Sequence, residues 1–521
     1  MNKYYKDHYD VIIVGGALAG LSAAIHLLDK GYVVLVLEQH NIPGGVATSF
    51  VRGGVELEAS LHEMCSIGSE RTPLKIRRLF DKYGINVDWM RVPDAFRYVT
   101  KDIDCVIRTG EDGDITIAAK DIAIASGDKD GTIYQKVLDF LTLCLKTHDA
   151  ADDISENDYS KLQLLTKHMD FVKILGYSVK DVMDAYKIPK KAQQILSAYW
   201  MYLGSPMSDC TFLLYAYMIS DYLGHGAYIP RHTSYEMSLK MAEKAMEKGA
   251  QIEFSQKVDK ILVKDKKVYG VRLASGEEIY SDYVVAGPYP HTVYSKMIEP
   301  KLEVPLKAIK VTNSNELSAS CFSIVMLLDK DYRELGITDY STFYAPREMD
   351  IDKLFESGKD YNLWDTYAVS CTNVVDNNCT PKGTCFYSMT FIPKGETFKD
   401  MAPEQYQEYK KRIVDHFLEM EGNRLGINFK DHILEMVIET PISIAHYTGA
   451  YMGTIYGYRH MISNSSPARE EMEKDEFFID GLVFAGAHQT AGAGMTPAIM
   501  SGIRAMKTIE DMRLKRNGGK K

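Results

Sequence analysis

Asp10-Val-Ile-Ile-Val-Gly-Gly-Ala-Leu-Ala-Gly-Leu-Ser-Ala-Ala-Ile25 places an apolar run, a glycine turn and an alanine- and leucine-rich segment in immediate succession. Residues 11–14 predict a buried parallel strand, and Leu21, Ile25 and Leu28 give the following segment the apolar face of a helix, which Gly31 stops. Gly15 permits the tight turn and Gly20 lets the helix pack closely on the sheet. Such a turn hands a pyrophosphate to backbone N–H groups at a helix N-terminus. A second strand predicted at 33–37 ends on Glu38, 23 residues after Gly15. That is close to the roughly 20-residue spacing that puts an acid on ribose hydroxyls. Gly15, Gly16, Ala17, Leu18, Ala19, Gly20 and Glu38 are therefore the first candidate cofactor-binding residues. Ala17 occupies the place of the fingerprint's second glycine, and its methyl narrows the approach of the pyrophosphate.

Two further stretches extend this reading. Pro43-Gly44-Gly45-Val46 can bring backbone amides close to an anion or a ring, and nicotinamide dehydrogenases rarely need such a second glycine loop. Near the other end, Gly481-Leu-Val-Phe-Ala-Gly486 has the form of a buried strand. A glycine-rich turn follows, through Gly494, Met495 and Pro497, and then a helix predicted over 498–512. A cofactor gripped by both chain ends points to FAD. Gly44, Gly45, Val46, Val258, Gly486, Gly494 and Met495 complete the candidate set.

A length of 521 residues exceeds what one core normally supports, so at least two lobes are expected. A net charge of -10 argues against a nucleic-acid partner. There is no charged-then-apolar leader at the N-terminus and no apolar stretch of the roughly 18 residues that span a bilayer. The expected location is cytoplasmic, with peripheral membrane contact conceivable for a lipophilic substrate. The eight cysteines show no C-x-x-C pair and no metal-ligand spacing, and are expected reduced and mostly structural, with no metal site.

Residues 251–285 alternate as strands around short turns, a meander returning to the sheet, and 234–248 predict an amphipathic helix closed by Gly249. With these in place the chain resembles the flavin-dependent phytoene desaturase, carotenoid isomerase and retinol saturase family. The likeness runs through the first turn, Pro43-Gly44-Gly45, Gly54-Val-Glu-Leu-Glu58-Ala-Ser-Leu-His62, Tyr228-Ile-Pro230, Gly453-Thr-Ile-Tyr-Gly457 and Phe484-Ala-Gly486 to Ser501-Gly502. It implies an α/β fold in which a Rossmann-type FAD-binding domain, a parallel sheet plus β-meander, carries an inserted mixed α+β substrate domain. The expected division is 1–71 with 225–289 and 476–521 for FAD, and 72–224 with 290–475 for substrate. The first substrate segment is expected to be largely helical. A lining rich in the 25 Met and 34 Tyr suits a long apolar substrate. The chain departs from the pattern at Ala17, at His232-Thr233 after Pro230, and at Ala487-His488.

For chemistry the candidates are His62 and Tyr456. The resemblance puts a histidine like His62 near the flavin, as a proton donor or as a structural residue. Tyr456 sits between glycines that let backbone approach a ligand, or is a core tyrosine. Glu56 and Glu58 share one strand face and serve the flavin or a loop, His488 meets the flavin or solvent, and Arg231 and His232 hold a carboxylate or cap a helix. The implied activity is desaturation, saturation or isomerisation of carbon-carbon double bonds in a lipophilic, conjugated molecule by hydride exchange with FAD. With one dinucleotide fingerprint, NAD(P)H or another electron carrier is expected only as a transient visitor. The alternatives are an amine-oxidase-like flavoprotein acting on a C–N bond and a non-catalytic flavin-bound lipid carrier.

Overall fold

Tyr9–Val14 is flanked on both edges by parallel neighbours, Val34–Leu37 on one side and Glu278–Ala286 on the other. A central parallel strand covered on both faces requires an unbroken apolar run, which is what residues 11–14 supply. The computed structural model describes residues 5–157, 159–345, 365–465, 469, 478–489 and 492–518. The expected sequence features at 1–4, 490–491 and 519–521, and the expected domain edge at 475–476, lie outside the described residues.

Gln251–Glu253 adds to Val34–Leu37, and Leu482–Phe484 adds to the end of Glu278–Ala286. The meander runs antiparallel through Val258–Lys264, Lys267–Leu273 and the first residues of Glu278–Ala286. That last strand is nine residues long, so it leaves the meander at Tyr280 and enters the parallel layer at Ser281. Ile298–Glu299 completes the eight-stranded sheet. Helix Leu18–Asp29 packs against helices Met495–Arg516 and Ser234–Glu247 in one buried cluster. The last helix runs from Met495 to Arg516, beginning earlier than the predicted 498–512 because the glycine turn ends at Gly494, and ending one turn later.

The inserted part holds a seven-stranded sheet in the spatial order Ile433–Glu439, Phe322–Leu328, Cys385–Phe391, Tyr367–Ser370, Ser341–Ala345, Phe96–Thr100 and Asp104–Ile107. Strand alternation sends Phe322, Ile324, Met326 and Leu328 into the core, where Phe391 stacks on Phe417 of helix Pro403–Leu425 at 4.1 Å. The opposite face carries Ser323 and Thr390, hydrogen-bonded at 2.8 Å. Helices Thr132–Glu156 and Phe212–Gly224 pack together beside it, with Phe140 against Phe212 at 5.8 Å. The protein is thus an α/β Rossmann-type sheet and meander with an inserted mixed α+β part. No helix of the described residues is long and apolar enough to cross a membrane, and all eight cysteines are free thiols.

Candidate active site

One cavity of about 2690 Å³ lies between the two sheets. Thirteen of the fourteen sequence-derived cofactor candidates line it, together with His62 and Tyr456. The exception, Gly16, lies just behind the wall, where its N–H donates to Glu38 Oε2 at 2.6 Å. The other Glu38 oxygen accepts from His40 N at 2.8 Å, so both oxygens of the acid expected on a ribose accept from backbone N–H groups. The volume exceeds the roughly 300–1,000 Å³ of single-ligand pockets, leaving room for a large cofactor and a second molecule.

Both helices that open on this cavity fit the phosphate-bearing part of a dinucleotide. Ala17 precedes helix Leu18–Asp29 and Gly494 precedes helix Met495–Arg516, and neither N-terminus has a side-chain cap or an acid in its first turn. Their uncapped N–H groups are donors of the kind a pyrophosphate can engage. Gly15 turns with φ +108°. The methyl of Ala17 finds its space in the second glycine loop: Gly44 N donates to Gly16 O at 3.0 Å, and a Cβ on Gly45 would lie 3.0 Å from that of Ala17. The glycine missing from the first turn is thus matched by one in the facing loop.

His62 and Glu63 follow the hairpin Ser49–Arg52 and Val55–Glu58. Both are clamped by their backbones, since the Tyr340 hydroxyl donates to His62 O and the Tyr222 hydroxyl to Glu63 O at 3.4 Å. Burial holds the His62 imidazole down at about 4, so it is neutral at ordinary pH. Its Nδ1 lies 3.4 Å from Ser370 Oγ, which bonds Ser388 Oγ at 2.7 Å. Tyr456 rests on Gly204, where a Cβ would meet its ring at 2.6 Å, and burial raises its phenol above the usual range. His62 and Tyr456 therefore line one cavity, the first as a neutral imidazole and the second as a protonated phenol.

Other expected contributors prove structural or differently placed. Glu58 accepts from Ser234 N at 2.6 Å, Ser234 Oγ at 2.7 Å and Leu61 N at 3.0 Å, and so satisfies the first turn of helix Ser234–Glu247. Glu56 accepts from Thr233 Oγ1 at 2.9 Å. Arg231 is engaged by Asp88 at 2.5 Å and by Asp376 at 3.6 Å. His488 is 3% exposed and lines the cavity between Tyr289 and Phe484, at 5.0 and 6.0 Å between ring centres, so its solvated alternative falls away. Burial, with the Arg469 and His291 charges, lowers it to about 3.

Two acids on the cavity wall escaped sequence reasoning. Glu63 is 7% exposed, and burial raises it to about 8 against the smaller, opposing effect of the Tyr202 hydroxyl. Glu439 lines the cavity from the second sheet and is also raised to about 8, by burial and then by Glu58. The only signal for Glu63 was its place beside His62; its burial comes from Tyr199, Tyr202, Tyr222 and Tyr340, which are distant in sequence.

A pH dependence of stability follows from Glu63. The unfolded chain releases this proton near the ordinary glutamate value while the folded protein keeps it to about 8. Stability therefore falls as pH rises between those values and levels off above the upper one. Melting temperatures from pH 4.5 to 9 are expected to show that decline, and Glu63→Gln should flatten it and be more stable at pH 9 by roughly 3–5 kcal/mol. Glu58 and Glu439, raised in the same direction, keep part of the slope. A variant with the wild-type slope would show that Glu63 is already ionised in the native protein.

Comparison with known proteins agrees with this architecture. The flavin-containing amine oxidoreductase family model matches residues 18–509. A 4,4'-diapolycopene oxygenase of Methylomonas sp is 24% identical over 515 residues, covering 95% of this chain and 97% of the relative. An all-trans-retinol 13,14-reductase of Danio rerio is 22% identical, covering 88% and 79%. Among solved structures, the cyclohexylamine oxidase of Brevibacterium oxydans IH-35A superposes with a TM-score of 0.57 at 15% identity, covering 96% of this chain and 99% of that one. With the paired helix N-termini, the double glycine cradle and a family match spanning nearly the whole chain, the protein belongs to the flavin-containing amine oxidoreductase family and is an FAD-dependent oxidoreductase.

Proposed function

We propose that the protein acts on carbon-carbon double bonds of a lipophilic, conjugated substrate, by desaturation, saturation or isomerisation. The observation that carries this reading is one continuous cavity whose wall includes the two helix N-termini and His62, Tyr456, Met201, Tyr202 and Met218. Two relatives matched over most of their length, named for diapolycopene and for all-trans-retinol, support it.

In this reading Gly15, Ala17, Gly44, Gly45, Gly486, Gly494 and their neighbours hold FAD, which supplies hydride exchange. His62, kept neutral by burial, accepts a proton at its imidazole, and Tyr456, kept protonated, donates one from its hydroxyl. The aromatic and methionine walls orient the polyene and exclude water.

The test is an anaerobic absorbance titration of purified protein with NADPH, dithionite, and then polyenes, enones and amines. A flavin spectrum bleached by dithionite and restored by a polyene or enone is the expected result. Reoxidation by none of these, with bleaching by amines instead, would move the chemistry to a C–N bond.

A further inference from the structure

Three serines stand directly opposite one another across adjacent strands of the second sheet: Ser341 faces Ser370, and Ser370 faces Ser388. Opposed residues share one face of a sheet, with Cβ atoms within about 5.5 Å. The row is joined to the cavity wall at two places. At its centre the Ser370 hydroxyl pairs with Ser388 Oγ at 2.7 Å and with His62 Nδ1 at 3.4 Å. At its end the buried Ser341 interacts through its hydroxyl with that of Tyr202, which in turn reaches the Glu63 carboxyl. Outside this group, neither Glu63 oxygen nor the Tyr202 hydroxyl has a hydrogen-bond partner among the described residues.

His62 and Glu63 are neighbours in the chain, yet no hydrogen bond joins their side chains. The fold connects them by a longer way, through the hydroxyls of Ser370, Ser341 and Tyr202 in that order. A hydroxyl both donates and accepts, so a line of hydroxyls can pass a proton in either direction. Burying a carboxyl with so few partners is unfavourable, and Glu63 is nonetheless nine-tenths buried beside the imidazole that carries the proton in the reading above. With His62 Nδ1 turned to Ser370, Nε2 is the nitrogen left for a ligand in the cavity.

We propose that Glu63 is the proton reservoir of the reaction and exchanges its proton with His62 through Tyr202, Ser341 and Ser370, with Ser388 holding Ser370 in line. This rests on the double-bond reading and on His62 as its proton carrier, and adds where that proton comes from and goes. His62, the proton acceptor in the oxidative direction, is the donor in the reductive one. In saturation one alkene carbon takes a hydride from reduced flavin, which loses two electrons, and its neighbour takes the proton of His62 Nε2. His62 Nδ1 then takes a proton from Ser370, Ser370 from Ser341, Ser341 from Tyr202, and Tyr202 from Glu63, which is left as a carboxylate and regains its proton from water. Desaturation runs the same transfers backwards, with oxidised flavin as hydride acceptor and the Glu63 carboxylate as the end of the line. Burial keeps this carboxyl protonated up to about 8, so the reservoir is filled at neutral pH.

The experiment uses purified flavin-loaded wild type, Ser370→Ala, Ser370→Thr, Glu63→Gln and the Ser370→Ala/Glu63→Gln double variant, compared at equal flavin content. Infrared spectroscopy reads the carbonyl stretch of the protonated Glu63 carboxyl, identified by its loss in Glu63→Gln. That band is expected to move in Ser370→Ala and to return in Ser370→Thr. Single-turnover reoxidation of the reduced protein by a polyene is expected to slow about 10–100-fold in Ser370→Ala and in Glu63→Gln, and to recover in Ser370→Thr. The double variant is expected to be no slower than the slower single variant, because a line broken twice carries no less than a line broken once. Losses that multiply in the double variant, unchanged turnover in either single variant, a Glu63 band that ignores Ser370→Ala, or no protonated Glu63 band at all overturns the proposal. Reoxidation by no polyene would defeat the double-bond reading instead, and the infrared arm still decides whether Ser370 and Glu63 are joined.

Discussion

Replacing His62 by phenylalanine is expected to leave the flavin bound and to lower turnover by about 10²–10⁴-fold, the range that a positioned proton carrier contributes. The ring is fixed by its neighbours: its carbonyl is held by the Tyr340 hydroxyl, its Nδ1 faces Ser370, and Tyr202 lies 6.2 Å away between ring centres. Phenylalanine fills the same space without a nitrogen, so flavin content and melting temperature should change little. Because burial holds the imidazole at about 4, wild-type turnover is expected to show no step near pH 6.5, where an exposed histidine titrates. Single-turnover reoxidation of reduced protein by a polyene, measured beside flavin content, checks both points. Unchanged turnover in His62→Phe would remove His62 from the chemistry and leave Tyr456 and Glu63 as the groups to test.

Gly20→Ala is expected to strip the flavin, leaving less than a tenth of the wild-type cofactor after purification. A methyl at Gly20 would lie 2.1 Å from Gly15 O and 3.1 Å from Ile13 Cγ2. No side chain can yield there, because the nearest atom belongs to the turn itself. The helix must lift from the strand, and its first N–H groups move away from the place where an anion is held. Overpacking of this kind costs about 1–3 kcal/mol, which lowers the melting temperature as well. The ratio of 450 to 280 nm absorbance and an FAD titration of the stripped protein measure the effect. A variant that keeps its flavin at wild-type affinity would mean that helix Leu18–Asp29 does not cradle the pyrophosphate.

The two expectations draw on different levels of the molecule. Gly20 was legible in the sequence because its requirement is local: a strand, a turn and a helix within twenty residues leave no room for a side chain at their contact. His62 was legible as a neighbour of the second glycine loop and through the family resemblance, and its neutral state came from strands and helices folded over it.

By itself the amino-acid sequence determined the Rossmann turn, the meander and the strand and helix that close the sheet, since apolar periodicity and glycine placement act over short spans. It also pointed to thirteen cofactor candidates, and to His62 and Tyr456, that line one cavity. Tertiary structure alone decided three things. The Ala17 methyl is accommodated by Gly45 from a loop 28 residues away. His488 is buried between Tyr289 and Phe484. Glu63 and Glu439, ordinary acids in the sequence, become desolvated carboxyls on the cavity wall. Burial and strand register bring residues such as Glu439 and Ser323 together across more than a hundred positions, and no local pattern records such a pairing.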